Sequence, residues 1–277
     1  MTNHNYKVVY QHEPYILRMA GNGTERFINR QAEKANSLLA NVLGLDVETV
    51  YFDSESGIKI SRFIENAETL NANTAAYPQN MAFTTKLLRQ LHDSGLDFDN
   101  RFDVFQEIVK YERFIEEVGA SYFSGYATVR REVMALEQAL THYPTELVPC
   151  HIDTVPENFV KGHKGQSYLI DWEYSGMNDR AWDLAAHLLE CDFDANQQEQ
   201  FLHLYYGNEK ISTDFRMKLL IYQICQDFLW SVWTLFKESR GDNFGDYGQM
   251  RYERAQRNLM RYQHLCEKET DDATNEC

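Results

Sequence analysis

The sequence predicts an α+β fold of two lobes, in which a small β-rich lobe with one helix precedes a larger, mostly helical lobe. Paired strand patterns are concentrated in the first 66 residues, whereas helical periodicity outnumbers strand patterns after residue 80. The chain has 277 residues, of which 43% are apolar and 13% aromatic. This length exceeds what one small core needs, so one large domain or two lobes is expected.

The first lobe, with its hinge, is predicted over residues 1–66. Residues 5–19 (NYKVVYQHEPYILRM) predict two short strands around a turn at QHEP. Residues 24–44 predict a helix that ends at Gly44, and residues 47–64 predict a second strand pair that turns at SESG. These elements give a lobe of four short strands and one helix.

The second lobe is predicted over residues 67–268, with a polar tail at residues 269–277 that is expected to fray. The predicted helices share apolar periodicity and lie at residues 81–95, 102–118, 126–143, 180–193, 197–207, 215–241 and 247–269. One strand, residues 166–174 (QSYLIDWEY), lies between these helices. A cleft between two such lobes is a usual ligand site.

Composition excludes several classes of function. The net charge of −15 argues against a nucleic-acid or anionic-membrane partner, because both require a basic face. No apolar run reaches the length of a membrane span, and the N-terminus lacks the apolar core of a signal peptide. The five cysteines are scattered, without zinc spacing or a disulfide framework, which indicates a reduced, cytoplasmic chain.

Three oxygen-bearing side chains form the main chemical motif. His151, Asp153 and Asn158 have the spacing His-x-Asp-x-x-x-x-Asn, and Asp171 follows at the end of an apolar strand. A hairpin between these segments would bring Asp153, Asn158 and Asp171 together. In phosphoryl transfer, one loop acid takes the hydroxyl proton while a loop Asn and a strand-end Asp hold Mg²⁺. Ordinary turn residues are the alternative interpretation, since Asp and Asn are common in loops.

HIDTVPENF (151–159) and YLIDWEYSGMNDRAWDLA (168–185) resemble the choline/ethanolamine kinase family, in particular its bacterial lic-type choline kinases. The resemblance covers nearly the whole chain. MTNHNY (1–6) is similar to the family's phosphate loop, and YILRMAGNGTERFINRQAE (15–33) to its nucleotide-lobe strand and helix. FLWSVWTLFKE (228–238) and DNFGDYGQMRYERA (242–255) resemble its C-terminal substrate wall.

This resemblance implies an aminoglycoside-phosphotransferase-like, protein-kinase-like fold. The implied activity is phosphorylation of choline to phosphocholine, with ATP as co-substrate and Mg²⁺ as cofactor. The implied product would feed the decoration of cell-surface polysaccharide or teichoic acid. No nucleic-acid partner and no membrane insertion are expected, and the oligomeric state is left open.

Carried over by position, Asp153 is the catalytic base, and Asn158 and Asp171 are the metal ligands. Arg18 stands where many kinases have a phosphate-binding lysine, and Glu33 is its expected partner. The further nucleotide-binding residues lie in the phosphate loop and hinge: Thr2, Asn3, Asn5, Arg62, Phe63 and Ile64.

The start of the chain departs from the family pattern. Family members carry an extra strand and a Gly-Gly pair before the MTNxNY stretch, whereas this sequence begins at Met1. The first strand and half of the phosphate loop are therefore expected to be missing.

The predicted substrate site is aromatic. A quaternary ammonium cannot donate hydrogen bonds, so aromatic faces and nearby carboxylates recognise it. Trp230 and Trp233 share a helix face, because they are three residues apart. Two further rings and two acids complete the predicted cage: Tyr174, Tyr247, Glu173 and Glu190. The tryptophan pair could instead be ordinary core. His151 and Asp183 are predicted to support the catalytic loop.

Two other functions stay open. An ethanolamine kinase would bind an ammonium that donates hydrogen bonds, so its acids would matter more than its rings. A catalytically impaired, choline-binding pseudokinase is suggested by the phosphate-loop start, and the complete set of Asp153, Asn158 and Asp171 argues against it.

Overall fold

The structure, a computed structural model, describes residues 3–21, 23–207 and 209–275, of which Lys164 and residues 269–275 are described by their backbone alone. The chain divides into two compact units. The first unit contains the chain up to Phe102 together with Glu146–Lys210, and the second contains Asp103–Thr145 with the chain from Ile211 onward. The predicted division at residue 66 stays a prediction.

The strands all lie in the first unit. They are β1 (Asn3–Tyr10), β2 (Glu13–Ala20), β3 (Thr49–Phe52), β4 (Lys59–Arg62), β5 (Glu68–Thr69), β6 (Leu147–Cys150), β7 (Phe159–Lys161), β8 (Ser167–Leu169) and β9 (Gly176–Asp179). A four-stranded sheet has the order β1-β2-β4-β3, a three-stranded sheet the order β5-β7-β8, and β6 pairs with β9. The pairing between named strands is antiparallel.

The helices occur in both units. They are α1 (Arg30–Val42), α2 (Ala72–Ala75), α3 (Pro78–His92), α4 (Val104–Val118), α5 (Tyr126–Leu140), α6 (Arg180–Glu190), α7 (Ala195–Tyr206), α8 (Thr213–Glu238) and α9 (Tyr247–Asn275). Helices α4, α5, α8 and α9 belong to the second unit. Helix α9 continues into the predicted polar tail. Within the described residues, no helix is long and apolar enough to cross a bilayer.

The β1–β2 hairpin positions Arg18. Its two-residue turn places Gln11 and His12 at φ 50° and 67°, the backbone that matches the twist of a tight hairpin. The ladder then pairs Asn5 with Arg18, and Arg18 with Lys59 on the other side. The predicted strand pair with its turn at QHEP is present.

Helix α1 begins later than predicted. Thr24–Arg26 form a separate 3₁₀ turn, and α1 starts at Arg30 because the Asn29 side chain accepts the N–H of Ala32 as its cap. The helix ends as predicted, since Gly44 adopts the left-handed φ of 71° that follows a helix end. The later start places Arg30 in the first turn and Glu33 one turn further on.

Each unit has its own buried core. In the first unit, Leu45, Leu87, Phe159, Trp172 and Trp182 are almost fully buried. In the second unit, a set of stacked or tilted rings joins α4, α5, α8 and α9: Tyr111, Tyr126, Phe228, Phe236 and Tyr252. Rigid cores of this kind hold functional side chains in fixed positions.

Candidate active site

The catalytic-loop candidate, residues 151–158, is held in a strained conformation. Ile152 has a φ of 76°, a region that β-branched residues seldom adopt. Its N–H donates to Asp183 Oδ1 at 2.8 Å, and its carbonyl accepts from Trp182 Nε1 at 3.0 Å. Strain of this kind persists only where surrounding contacts enforce it, and it concentrates at functional sites.

Asp183 is the centre of those contacts. Its carboxylate also accepts from the backbone N–H of His151 at 2.8 Å, and His92 Nε2 lies 3.1 Å from it. Thr154 donates to the Asp183 carbonyl at 2.8 Å. Each of these groups is buried, so Asp183 fixes the backbone of the loop from beneath. His151 braces the other side, because its Nε2 donates to the Ile170 carbonyl at 2.9 Å.

Asp153 and Asn158 lie together in this loop. Asn158 Nδ2 donates to the Asp153 carbonyl at 2.8 Å and is 3.5 Å from Asp153 Oδ2. Asn158 is buried and ends a 3₁₀ turn that begins at Pro156, while Asp153 stays half-buried. The amide nitrogen is thus used within the loop, so Oδ1 is the atom of Asn158 that could meet a cation.

Asp171 follows β8 and is tied to the same loop. The N–H of Ile170 donates to the Asn158 carbonyl at 2.9 Å, and Asp171 itself has a φ of 69°. Its Oδ1 is buried without a hydrogen-bond partner among the described residues, although 39% of the side chain is exposed. The remaining exposure therefore belongs to the rest of the side chain. Burial raises the pKa of Asp171 and Arg18 opposes that rise.

Arg18 and Glu33 form a buried ion pair beside Asp171. Arg18 Nη1 donates to Glu33 Oε1 and is 3.6 Å from Asp171 Oδ1. Burial acts to lower the pKa of Arg18, but the charge and hydrogen bond of Glu33, together with the charges of Asp171 and Glu173, outweigh it and the pKa is raised. The other Arg18 nitrogens, Nε and Nη2, are buried without hydrogen-bond partners among the described residues. Unused buried donors are costly, which favours an anionic ligand.

Arg30, which the sequence reasoning missed, joins this group. Its Nη1 contacts Glu33 Oε2 at 2.7 Å and Glu173 Oε2 at 3.2 Å, and its Nη2 donates to Asn3 and Thr24 at 3.1 Å each. Asn3 also donates to Glu173 at 2.7 Å. Burial, Asp171 and Glu33 raise the pKa of Glu173 to about 8. The Arg-x-x-Glu spacing on one helix face was the available sequence signal.

A cavity of about 310 Å³ lies next to these charges in the first unit. Six predicted nucleotide or metal residues line it: Asn5, Arg18, Arg62, Phe63, Ile64 and Asp171. Asn3 and Glu33 are not among the lining residues: Asn3 is hydrogen-bonded to Arg30, and Glu33 to Arg18 and Arg30. Thr2 lies outside the described residues. Lys59 also lines the cavity and contacts Asp46 at 3.1 Å. Besides Phe63 and Ile64, the apolar part of the wall consists of Ile16, Val47, Ala67, Val160 and Ile170.

The donor set suits a hard cation. Asp171 offers carboxylate oxygens, one of them buried without a hydrogen bond, and Asn158 offers an amide oxygen from the adjoining loop. Oxygen donors of this kind are the ligands that Mg²⁺ takes in proteins. The residues present therefore fit the predicted ion.

The predicted aromatic residues of the second unit form one cluster. The rings of Trp230 and Trp233 are 6.0 Å apart at 85°, and Phe244 lies 5.1 Å from Trp233 and 6.4 Å from Tyr247. Phe244 is an additional ring that sequence reasoning did not select, although it lies within residues 242–255, which resemble the family's C-terminal substrate wall. Trp230 is buried, whereas the other three rings are half-buried. Trp233 Nε1 is buried without a hydrogen-bond partner among the described residues.

The other predicted substrate residues belong to the first unit. Glu173 is buried with its Oε2 engaged by Arg30 and Asn3, Tyr174 is half-buried after it, and Glu190 is the last residue of α6. The predicted cage is thus divided between the units, three residues in each. Its assembly into one site stays a prediction.

Comparison with known proteins agrees with the resemblance. The LicA protein of Haemophilus influenzae is 32% identical over 260 residues, which cover 92% of this chain and 97% of that protein. The crystal structure of the choline kinase LicA from Streptococcus pneumoniae is 41% identical with a TM-score of 0.84, covering 93% of this chain and 90% of that one. A crystal structure of LicA in complex with AMP is 41% identical with a TM-score of 0.85, covering 95% of this chain and 89% of that one.

A more distant likeness bears on the fold alone. Spectinomycin phosphotransferase is 13% identical with a TM-score of 0.63, covering 95% of this chain and 90% of that one. The predicted α+β, kinase-like fold class is therefore confirmed. The sequence model of the choline/ethanolamine kinase family matches residues 1–258. The chain thus belongs to the choline/ethanolamine kinase family and is a phosphotransferase that acts on an alcohol group.

Proposed function

We propose that the protein transfers a phosphoryl group from ATP to the hydroxyl of choline. The observation that carries this proposal is that Arg18 and Asp171 line one cavity, while the Asp153–Asn158 loop is hydrogen-bonded to the segment that carries Asp171. A loop acid, an amide oxygen, a strand-end carboxylate and an unsatisfied guanidinium are the parts that phosphoryl transfer requires.

In this proposal the nucleotide occupies the cavity. The apolar wall and the backbone of the hinge, residues 62–64, contact the base, while Arg18 binds phosphate oxygens through its unused nitrogens. Glu33 holds Arg18 in place through the buried ion pair. Phe63 is covered by the Lys7 ammonium at 3.9 Å from the ring centroid, which links the hairpin to the hinge.

Asp153 accepts the proton of the acceptor hydroxyl, and Asn158 and Asp171 would hold Mg²⁺. The ion, when bound, supplies positive charge that stabilises the phosphoryl group during transfer. Asp153 is suited to its role because the loop is clamped by Asp183 while the side chain itself stays half-buried. A fixed base within reach of the hydroxyl contributes through orientation as well as basicity.

The aromatic cluster favours choline over ethanolamine. Trp230, Trp233, Phe244 and Tyr247 present ring faces and edges at one end of α8, and rings recognise a trimethylammonium group. The indole Nε1 of Trp233, which has no hydrogen-bond partner among the described residues, is a donor, so it cannot accept a hydrogen bond from an ammonium. Ethanolamine remains the second candidate substrate, because the family includes kinases for both alcohols.

The pseudokinase alternative is not favoured. The loop contacts of Asp153 and Asn158 and the Arg18–Glu33 pair are all present in the described residues. The proposed use of phosphocholine in surface polysaccharide or teichoic acid rests on the resemblance, and the proposed cytoplasmic location rests on the scattered cysteines.

The test is an ATP-dependent transfer assay with choline, ethanolamine or no acceptor, with the product identified by ³¹P NMR. The proposal predicts phosphocholine formation that depends on Mg²⁺ and a higher kcat/KM for choline than for ethanolamine. Faster turnover with ethanolamine would select the second candidate. No transfer to either alcohol by the folded protein would contradict the proposed activity.

A further inference from the structure

Five ionisable side chains, acids and arginines in turn, form a circuit of contacts beside the cavity. Asp171 faces Arg18, Arg18 binds Glu33, Glu33 binds Arg30, and Arg30 binds Glu173, which is two residues from Asp171. The circuit therefore begins and ends on the same loop. Arg30 is its least expected member, because neither the nucleotide nor the metal prediction required it.

The position of Arg30 is unfavourable for the helix that carries it. Arg30 is the first residue of α1, where the helix dipole disfavours a cation. The side chain is only 6% exposed, and its Nε has no hydrogen-bond partner among the described residues. Burying a guanidinium with an unsatisfied N–H costs stability. Local helix stability therefore does not explain this arginine.

The contacts of Arg30 explain it better. Its two terminal nitrogens reach four side chains from four segments: Glu33 on α1, Glu173 after β8, Asn3 on β1 and Thr24 in the 3₁₀ turn. Gly57 leaves room for it, since a Cβ there would lie 3.2 Å from Arg30 Nε and 2.8 Å from Ala20 Cβ. Only a planar, forked cation can serve so many partners at once.

We propose that Arg30 is a positioning residue that fixes the Asp171 loop relative to Arg18, by holding Glu173 and Glu33 at the same time. Without Arg30, two buried carboxyl groups, Glu33 and Glu173, lose their shared hydrogen-bond donor, so the Asp171 loop and the Arg18 side chain can shift independently. Arg30 acts through these residues and does not touch nucleotide. A displacement of about 1 Å at reacting groups can cost on the order of 100-fold in rate.

The inference rests on the proposed function, so its test measures how Mg²⁺ assists nucleotide binding. Calorimetry gives the Kd of ADP with Mg²⁺ and with excess chelator for wild type, Arg30→Lys and Arg30→Met. The ratio of the two Kd values reports how well Asp171 and Arg18 act together. Arg130→Lys is the matched control, since it removes a bidentate contact to Glu112 in the second unit.

We expect Arg30→Lys to reduce the Mg²⁺ enhancement of ADP binding about tenfold and Arg30→Met to reduce it further, with the control unchanged. If folded Arg30 variants keep the wild-type ratio, the positioning role is wrong even though the proposed kinase site stands. If Mg²⁺ does not strengthen ADP binding to the wild-type protein, both the positioning role and the proposed kinase site are wrong. Should neither Arg30 variant fold, Thr24→Val, which removes only one acceptor of Arg30, is expected to lower the ratio in the same direction; an unchanged ratio would overturn the inference.

Discussion

The circuit of the first unit and the aromatic cluster of the second are stabilised in different ways. In the circuit, Arg18, Arg30, Glu33, Asp171 and Glu173 are held by ion pairs and hydrogen bonds between distant segments. In the aromatic cluster, rings are held by packing along one helix and the turn that follows it. The first arrangement has few tolerated replacements, because each charge depends on its partner. In the aromatic cluster, a single ring can be replaced without leaving a buried charge unpaired.

This difference suggests a division of labour. The circuit supports phosphoryl transfer to any alcohol acceptor, whereas the rings distinguish the ammonium group of one acceptor from that of another. Changes at Arg18, Arg30, Glu33 or Asp171 should therefore affect all acceptors alike. Changes in the cluster should alter preference between acceptors.

The largest effect is expected for Asp153→Asn. Loss of the base should lower kcat about 10³-fold, within the usual range for general base catalysis, while ATP still binds. Steady-state kinetics and ATP titration measure the two quantities. Asp97→Asn, which changes an exposed aspartate of the same unit, should leave both unaltered. An Asp153→Asn enzyme with wild-type kcat would remove Asp153 from the role of base.

Asp171→Ala should weaken MgATP binding more than Asp153→Ala does. Its carboxylate is the proposed metal ligand beside Arg18, so a loss of MgATP affinity of about 100-fold is expected, the upper end of what changes around metal ligands cost. Calorimetric titration of both variants with MgATP and with chelated ATP measures this. Equal MgATP affinity in Asp171→Ala and wild type would contradict the metal assignment.

His187 links the support of the catalytic loop to pH. It is fully buried among Phe159, Phe193 and Phe201, and its Nδ1 donates to the Thr154 carbonyl. Burial lowers its pKa to about 4, although Thr154 and the charge of Asp183 oppose the shift. Between pH 6.5 and 4 the unfolded chain binds a proton that the folded protein does not. The free energy of unfolding should therefore fall as the pH drops through this window, by up to about 3 kcal/mol.

Urea unfolding at several pH values measures this loss. His187→Asn keeps an N–H near the Thr154 carbonyl but removes the titrating ring, so its stability should fall less over the same window. Identical pH dependence in the variant and wild type would show that His187 does not contribute.

Sequence reasoning succeeded where the signal is local. The β1–β2 hairpin follows strand patterns on both sides of QHEP, and long helices such as α8 follow apolar periodicity. The start of α1 was misplaced because the Asn29 cap overrides the helix-forming residues before it. The short strands β5, β6 and β9 were not predicted, because two to four residues carry no periodicity and their partners are distant in the chain.

The same limit applies to the site. The spacing of Asp153 and Asn158 within one loop made them recognisable, and Asp171 followed from the strand before it. Only the Glu33 contact of Arg30 had a local sequence signal, because Asn3 and Glu173 lie 27 and 143 residues from it. Phe244 lies in a turn, where neighbouring rings give no periodic signal.

The most direct test of the division of labour is the ratio of kcat/KM for choline over that for ethanolamine. It is measured in wild type, Arg18→Lys, Trp233→Phe and Trp233→Leu, with Tm recorded because truncating a tryptophan also disturbs packing. Arg18→Lys should lower both kcat/KM values by the same factor and leave the ratio unchanged. Trp233→Leu should lower the ratio about tenfold, since a well-placed ring contributes about 1–2 kcal/mol to binding a quaternary ammonium, and Trp233→Phe should lower it less. A ratio that moves with Arg18→Lys, or that stays fixed in folded Trp233→Leu, would contradict the account.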